Sequence, residues 1–199
     1  FFWGFIAAGN GILIPFCKKY FSLDQFQSQL IEFAFYGAYY VGALAIFIYS
    51  SLFKRNILNF WGFRSTIVYG LVLSAFGAAV MVSAINGASP GDTSAFLYIL
   101  AALFVVGLGF SLQQTAAQPF VISLGDEKTG DKRLNFAGGI NSFGTAIGPI
   151  IVGLALFGTA NKTDIDLTNI SLSSAQIVYI GVGVLFLLAA CLFYFSKKL

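Results

Sequence analysis

The chain has 199 residues, of which 58% are hydrophobic and 10% charged, with no histidine and a formal net charge of +3. A mean hydropathy of +0.84 lies far outside the range of water-soluble domains, and the small positive balance calls for no nucleic-acid partner. The expected class is an all-α integral membrane protein whose solvent is the lipid bilayer.

Six apolar stretches reach the ~20 residues needed to cross a bilayer as helices. They cover residues 1–20, 26–50, 62–84, 96–124, 136–157 and 177–195, and make residues 1–199 one six-helix transmembrane bundle. The period-two alternation of a closed barrel is absent. Lys54, Arg55, Arg64, Lys128, Lys132, Arg133, Lys197 and Lys198 fall on one side, and Lys18, Lys19 and Lys162 on the other. An excess of Lys and Arg marks the cytoplasmic side, so both chain ends are expected there, in a plasma membrane.

Span one opens at Phe1 with no Met and no charged flank, so a short N-terminal tail is expected to be lacking. It has no basic region ahead of a small-residue cleavage site, and it carries Asn10 and Pro15, so a cleaved signal peptide is not expected. Cys17 and Cys191 are isolated near span ends and read as packing residues, with no disulfide and no metal site implied. Span two carries Glu32, Tyr36 and Tyr40 four residues apart, which puts a carboxylate and two phenols on one stripe. Glu32 is the only acidic residue within any span. An ionisable group in lipid is costly and marks a pathway, which makes it a candidate for ion or proton coupling; a structural carboxylate bonded to neighbouring amides is the alternative.

Span four contains a polar knot, Gln113, Gln114, Thr115 and Gln118 followed by Pro119. At ~1.5 Å per residue, with Leu124 as the basic-side end, Gln118 lies about 9 Å and Gln114 about 15 Å deep. Span five returns from Leu134, placing Asn141 about 10 Å and Thr145 about 16 Å deep, level with the two glutamines. In the same span Gly144 and Gly148 form a close-packing notch, as Ala38 and Gly42 do in span two, and Pro149 is a candidate bend. Packing alone accounts for these glycines.

GFIAAGNGILIPF of span one and GFSLQQTAAQPF of span four both open on Gly-Phe and close on Pro-Phe, with Asn10 and Gln114 each five residues before the proline. The match is short and its residues are common in membrane helices, so chance stays open; a true repeat would mean two inverted three-helix units. For each amide the plain alternative is an interhelical hydrogen bond. Five amides and a carboxylate at similar depth point instead to a polyhydroxylated solute, since amides both donate to and accept from hydroxyls while aromatic rings cover a sugar's apolar face.

GLGFSLQQTAAQPFVISLGD from Gly107, RLNFAGGINSFGTAIGPI from Arg133, and the motifs of spans one and two resemble the fucose and glucose/galactose permeases of the major facilitator superfamily. The resemblance covers most of the chain. It implies half of a twelve-helix fold, with the C-terminal six-helix half missing from this chain, a bacterial inner-membrane location, and a sugar site between the halves. It also implies a sugar-facing amide at Asn141. The acidic residues of proton-coupled relatives on helices one and four are replaced here by Gly11 and Gln114, as in the hexose branch. The loop FKRNILNFWGFRS keeps Lys54, Arg55, Gly62 and Arg64 of the superfamily's signature but no acid, and GDEKTGDKR reads as a solvated turn or a gate. NKT at Asn161 and NIS at Asn169 match a glycosylation pattern that means nothing in a bacterial protein.

The expected function is that of a secondary active sugar transporter, half of it present, working by alternating access with proton, sodium or no coupling ion. Its candidate ligands are Asn10, Gln114, Gln118 and Asn141, with Tyr36 as an aromatic wall. No cofactor and no catalytic residues are expected, since no hydroxyl sits with a plausible base. The alternatives are a six-helix channel or oligomerising membrane module, and a facilitator exporting amphiphiles.

Overall fold

A computed structural model of the chain describes residues 1–54, 57–157 and 172–196. The expectations for Arg55, Asn161, Lys162, Asn169, Lys197 and Lys198 lie outside the described residues. Those residues form six α-helices: α1 (Phe2–Tyr20), α2 (Gln25–Phe53), α3 (Ile57–Asn86), α4 (Thr93–Ser123), α5 (Gly130–Phe157) and α6 (Leu172–Phe195). A single 3₁₀ turn, Glu127–Thr129, links α4 to α5, and no strand occurs among the described residues. Five helices, α2 to α6, are long and apolar enough to cross a membrane; α1, with Lys18 and Lys19 in its last turn, is not one of them.

Local chemistry sets the helix ends. Asp24 starts α2 through a capping box: its Oδ1 accepts from the Gln27 backbone N–H at 2.7 Å, and the Gln27 Oε1 accepts from the Asp24 N–H at 3.0 Å. Asp92 does the same work for α4, accepting from Ser94 N–H at 2.8 Å and Ala95 N–H at 3.2 Å. In α3 the helix breaks at Gly62, where φ is 76° and ψ 159°, a conformation that strains any residue with a Cβ. The apolar stretch expected from Gly62 onward thus begins at the break, and residues 57–61 form a short separate turn ahead of it.

Two arginines tie helix ends together on the side carrying the α2–α3 and α4–α5 connections. Arg133, at the start of α5, donates from Nε to the Val121 carbonyl at 3.0 Å and from Nη2 to the Asp126 carbonyl at 3.0 Å, and so covers the exposed carbonyls at the end of α4. Its Nη1 donates to Thr129 Oγ1 at 2.7 Å, which closes the turn. Arg64 of α3 donates from Nη2 to the Phe193 carbonyl at the end of α6 at 2.7 Å.

In the packing, α4 lies between α2 and α3, α3 also meets α6, and α1 lies along α5. A file of rings crosses the centre: Phe35 of α2 to Phe110 of α4 at 5.7 Å, Phe110 to Phe186 of α6 at 5.8 Å, and Phe186 to Phe2 of α1 at 5.5 Å. Each contact is edge-on, the preferred geometry for aromatic quadrupoles. The helix backbones touch where glycine permits: a Cβ on Gly148 would sit 2.6 Å from the Phe5 carbonyl oxygen, so only a bare glycine lets α5 lie this close to α1. Gly144, one turn earlier, meets the Phe1 carbonyl in the same way. Outward, large apolar side chains such as Phe33, Leu52 and Phe60 are more than 70% exposed, which suits hydrocarbon and not water.

Candidate functional site

The helices border a half-open cavity of about 600 Å³ reached by α1, α3, α4, α5 and α6. Its α4 wall carries Phe110, Gln114, Gln118 and Val121, each about one turn from the last, and its α5 wall carries Leu134, Ala137, Gly138 and Asn141. Phe1, Phe2 and Trp3 of α1 close a third side. The cavity runs from Gln114 to Leu124 and Leu134, towards the α4–α5 turn. None of its lining side chains is an acid or a base.

The sequence-predicted amides separate by environment. Gln114 is half-buried and Gln118 exposed, both line the cavity, and neither side chain has a hydrogen-bond partner among the described residues. Asn141 lines it too, but its Oδ1 accepts from the Gly4 backbone N–H at 2.9 Å. That leaves its amide N–H₂ as the group available to the cavity. Gln113 also borders the cavity, but it is 9% exposed and its Nε2 donates to Ser74 Oγ at 2.9 Å, so this amide joins α4 to α3.

Asn10 is not brought to this cavity. It is 1% exposed and borders a separate cavity of about 20 Å³ between α1, α5 and α6, with Gly9, Val152, Val178 and Tyr179 around it, and its Nδ2 has no partner. The reason is axial: Asn10 lies seven residues along α1 from Trp3 on nearly the same face, past the end of the large cavity and next to the contact of Gly9 with Val152 of α5. Thr145, expected level with Gln114, also stays out of the cavity; its hydroxyl donates to the Asn141 carbonyl at 3.2 Å. On α2, Tyr36 is 41% exposed and Glu32 partly buried, and neither lines the cavity.

Sequence reasoning missed Trp3 and Phe110, which bring aromatic faces to the cavity. Their signal was available: Phe110 precedes Gln114 and Gln118 at a four-residue step on the same helix face. The assembled site therefore offers neutral donors and acceptors beside aromatic rings, in a volume within the roughly 300–1,000 Å³ of small-molecule sites. Such a surface matches a neutral, hydroxyl-rich molecule and offers nothing to compensate a charged one.

Apolar membrane-length helices packed around this interior cavity define a multi-pass helical membrane protein. No family model matches the chain. It is nevertheless a homologue of sugar transporters along its whole length. It is 32% identical over 197 residues to the glucose/galactose transporter of Brucella abortus, covering 99% of this chain and 44% of that protein. It is 36% identical over 201 residues to the putative glucose/galactose transporter of Helicobacter pylori, covering 99% and 46%. To the L-fucose-proton symporter of Escherichia coli it is 33% identical over 156 residues, covering 78% and 32%. The fold matches the crystal structure of FucP, a major facilitator superfamily transporter in the outward conformation, with a TM-score of 0.71 and 28% identity over 98% of this chain and 47% of that one. The chain spans about half the length of the curated relatives it matches.

Proposed function

We propose that this chain is one half of a secondary active sugar transporter of the major facilitator superfamily, and that Gln114, Gln118 and Asn141 bind the hydroxyls of a hexose in the cavity. The observation that carries the reading is a contrast among three glutamines that all line the cavity: Gln113 is bonded to Ser74, while Gln114 and Gln118 have no partner among the described residues. Trp3 and Phe110 provide the aromatic faces, and Gly144, Gly148 and Pro149 set how closely α5 lies on α1. A second six-helix half completes the site. Both chain ends lie in the cytoplasm of a bacterial inner membrane, and transport proceeds by rocking of the two halves.

The six helices are two inverted three-helix units in this reading. Its support is a matching pair of notches: Gly144 and Gly148 of α5 against α1, and Ala38 and Gly42 of α2 against Gly107 and Ser111 of α4. Glu32, with Tyr36 one turn on, is the coupling candidate on α2, and a proton is the ion it would carry.

Uptake of radiolabelled hexose by the full-length transporter tests both roles. Gln114→Ala raises the half-saturation concentration about tenfold, the effect of losing one or two hydrogen bonds to the sugar, and an unchanged value removes Gln114 from the site. Wild-type uptake saturates and shows counterflow. Glu32→Gln abolishes the pH dependence of uptake; a profile identical to wild type places coupling elsewhere.

A further inference from the structure

A second large concavity, of about 590 Å³, lies between the start of α3 and the ends of α4 and α6. Phe120 and Phe193 line both it and the amide-lined cavity, their rings 6.1 Å apart, so the two spaces sit back to back. Its outer wall is aromatic. The break at Gly62 frees Trp61 from the line of α3, and its ring meets Tyr69 edge-on at 5.3 Å, with the two residues 40% and 50% exposed. Tyr194 adds a third ring, 70% exposed. Trp and Tyr concentrate where hydrocarbon gives way to headgroups, and this groove lies at the helix ends beside the basic connections.

Inside the groove stands one cation, Arg64. Its Nη2 donates to the Phe193 carbonyl at 2.7 Å and reaches the Tyr194 carbonyl at 3.5 Å. Its Nε is buried without a partner, and its Nη1 has neither burial nor an acceptor among the described residues. No carboxylate pairs with it there. The connecting sequence from Lys54 to Arg64 contains no acid that could do so. A guanidinium half used by carbonyls and half unused, with no counter-charge, presents a planar fork that fits a phosphate.

From this placement we infer that the groove binds the headgroup phosphate of an anionic phospholipid, with Arg64 Nη1 donating to a phosphate oxygen and the Trp61 and Tyr69 rings packing on the glycerol and upper acyl chains. A lipid fits better than a soluble phosphate because the groove adjoins side chains suited only to hydrocarbon: Phe60, Leu192 and Phe195 are 76%, 61% and 72% exposed. Closing the groove over a lipid would also fasten the end of α6 to the start of α3 through one guanidinium.

The test is native mass spectrometry of the full-length protein carrying this chain, delipidated in detergent and titrated with phosphatidylglycerol or phosphatidylcholine. One phosphatidylglycerol is retained about tenfold more tightly than phosphatidylcholine, whose phosphate charge is already neutralised by its own choline cation, and Arg64→Gln removes that preference. Should Arg64→Gln fail to fold because α6 loses its cap, the double variant Trp61→Ala/Tyr69→Ala leaves the cap intact and weakens phosphatidylglycerol retention by roughly threefold. A folded Arg64→Gln protein that keeps the wild-type preference overturns the site, as does an aromatic double variant with undiminished retention. Glycerol 3-phosphate supplies the headgroup without chains. Failure to displace the lipid at equal concentration supports a lipid occupant, and displacement as effective as by the lipid itself overturns it.

Discussion

Two seams of this bundle each bury an amide, and they treat it differently. Between α3 and α4, Gln113 donates to Ser74 Oγ at 2.9 Å, and that hydroxyl in turn donates to the Val106 carbonyl at 3.4 Å. Where α1 meets α5 and α6, Asn10 is buried more deeply still, yet its Nδ2 has no partner and a cavity of about 20 Å³ lies beside it. The polar groups within reach separate the two cases. Gly70 and Gly109 face one another across the first seam so closely that a Cβ on either would lie 2.6 Å from the other's carbonyl oxygen, and this brings Ser74 within reach of Gln113. At the second seam α5 also lies close to α1, at Gly144 and Gly148, but around Asn10 the neighbours are mainly apolar side chains, with Tyr179 the exception, and none of them meets its Nδ2. A polar residue in a membrane bundle is thus structural only where small residues let a partner come to its depth.

The largest effect should come from forcing the tight seam open. Gly70→Val places branched carbon against the Gly109 carbonyl and Gln113, and should lower the stability of the detergent-purified full-length protein by about 3 kcal/mol, read as a fall in its thermal unfolding midpoint. Gly9→Ala at the looser seam meets only a Val152 methyl, at 3.2 Å, and should change stability by less than about 1 kcal/mol. Equal losses would erase the distinction.

Gln113→Leu keeps the side-chain volume and deletes the donor to Ser74. Interhelical hydrogen bonds in membranes contribute about 1 kcal/mol, so a loss of that order is expected in the same unfolding measurement. Hexose half-saturation should stay within about twofold of wild type, because this amide is committed to α3 and not to a ligand. A Gln113→Leu protein as impaired in sugar affinity as Gln114→Ala would make the two glutamines one functional unit.

Helix faces and approximate depth were legible in the sequence, and which neighbours each level meets was not. The rise per residue placed Gln114, Gln118 and Asn141 at compatible levels on an antiparallel pair, and the structure brings those three to one cavity. The sequence groups Asn10 with them at similar depth, yet it sits past the end of that cavity, where α1 meets α5 and α6. Thr145, one turn beyond Asn141, packs against Gly4 of α1, and its hydroxyl turns back to the Asn141 carbonyl. The caps on α4 and α6 escaped notice because Arg64 and Arg133 looked like topology signals; their carbonyl partners on α6 and α4 are set only by tertiary packing. The break at Gly62 coincides with the start of the expected span, since a glycine before an apolar run suits both a helix interruption and a membrane entry.

The smallest expected change carries the sharpest test of the unsatisfied seam. Asn10→Leu swaps the amide for an apolar group of nearly the same shape, deleting a buried donor that has no partner. Leaving such a group unsatisfied costs on the order of 1–3 kcal/mol, part of which is offset in a membrane because the unfolded reference also finds partners. Asn10→Leu should therefore stabilise the full-length protein by about 0.5–1 kcal/mol, while leaving hexose half-saturation unchanged because Asn10 does not line the large cavity. A loss of stability instead would mean that a water in the adjoining space bonds the amide, since a site of this volume is large enough for one molecule. A loss of sugar affinity at unchanged stability would mean that α1 shifts along its axis during transport and brings Asn10 to the cavity. In that case the small space beside Asn10 is what permits the shift, and the tight α3–α4 seam is the frame against which α1 moves.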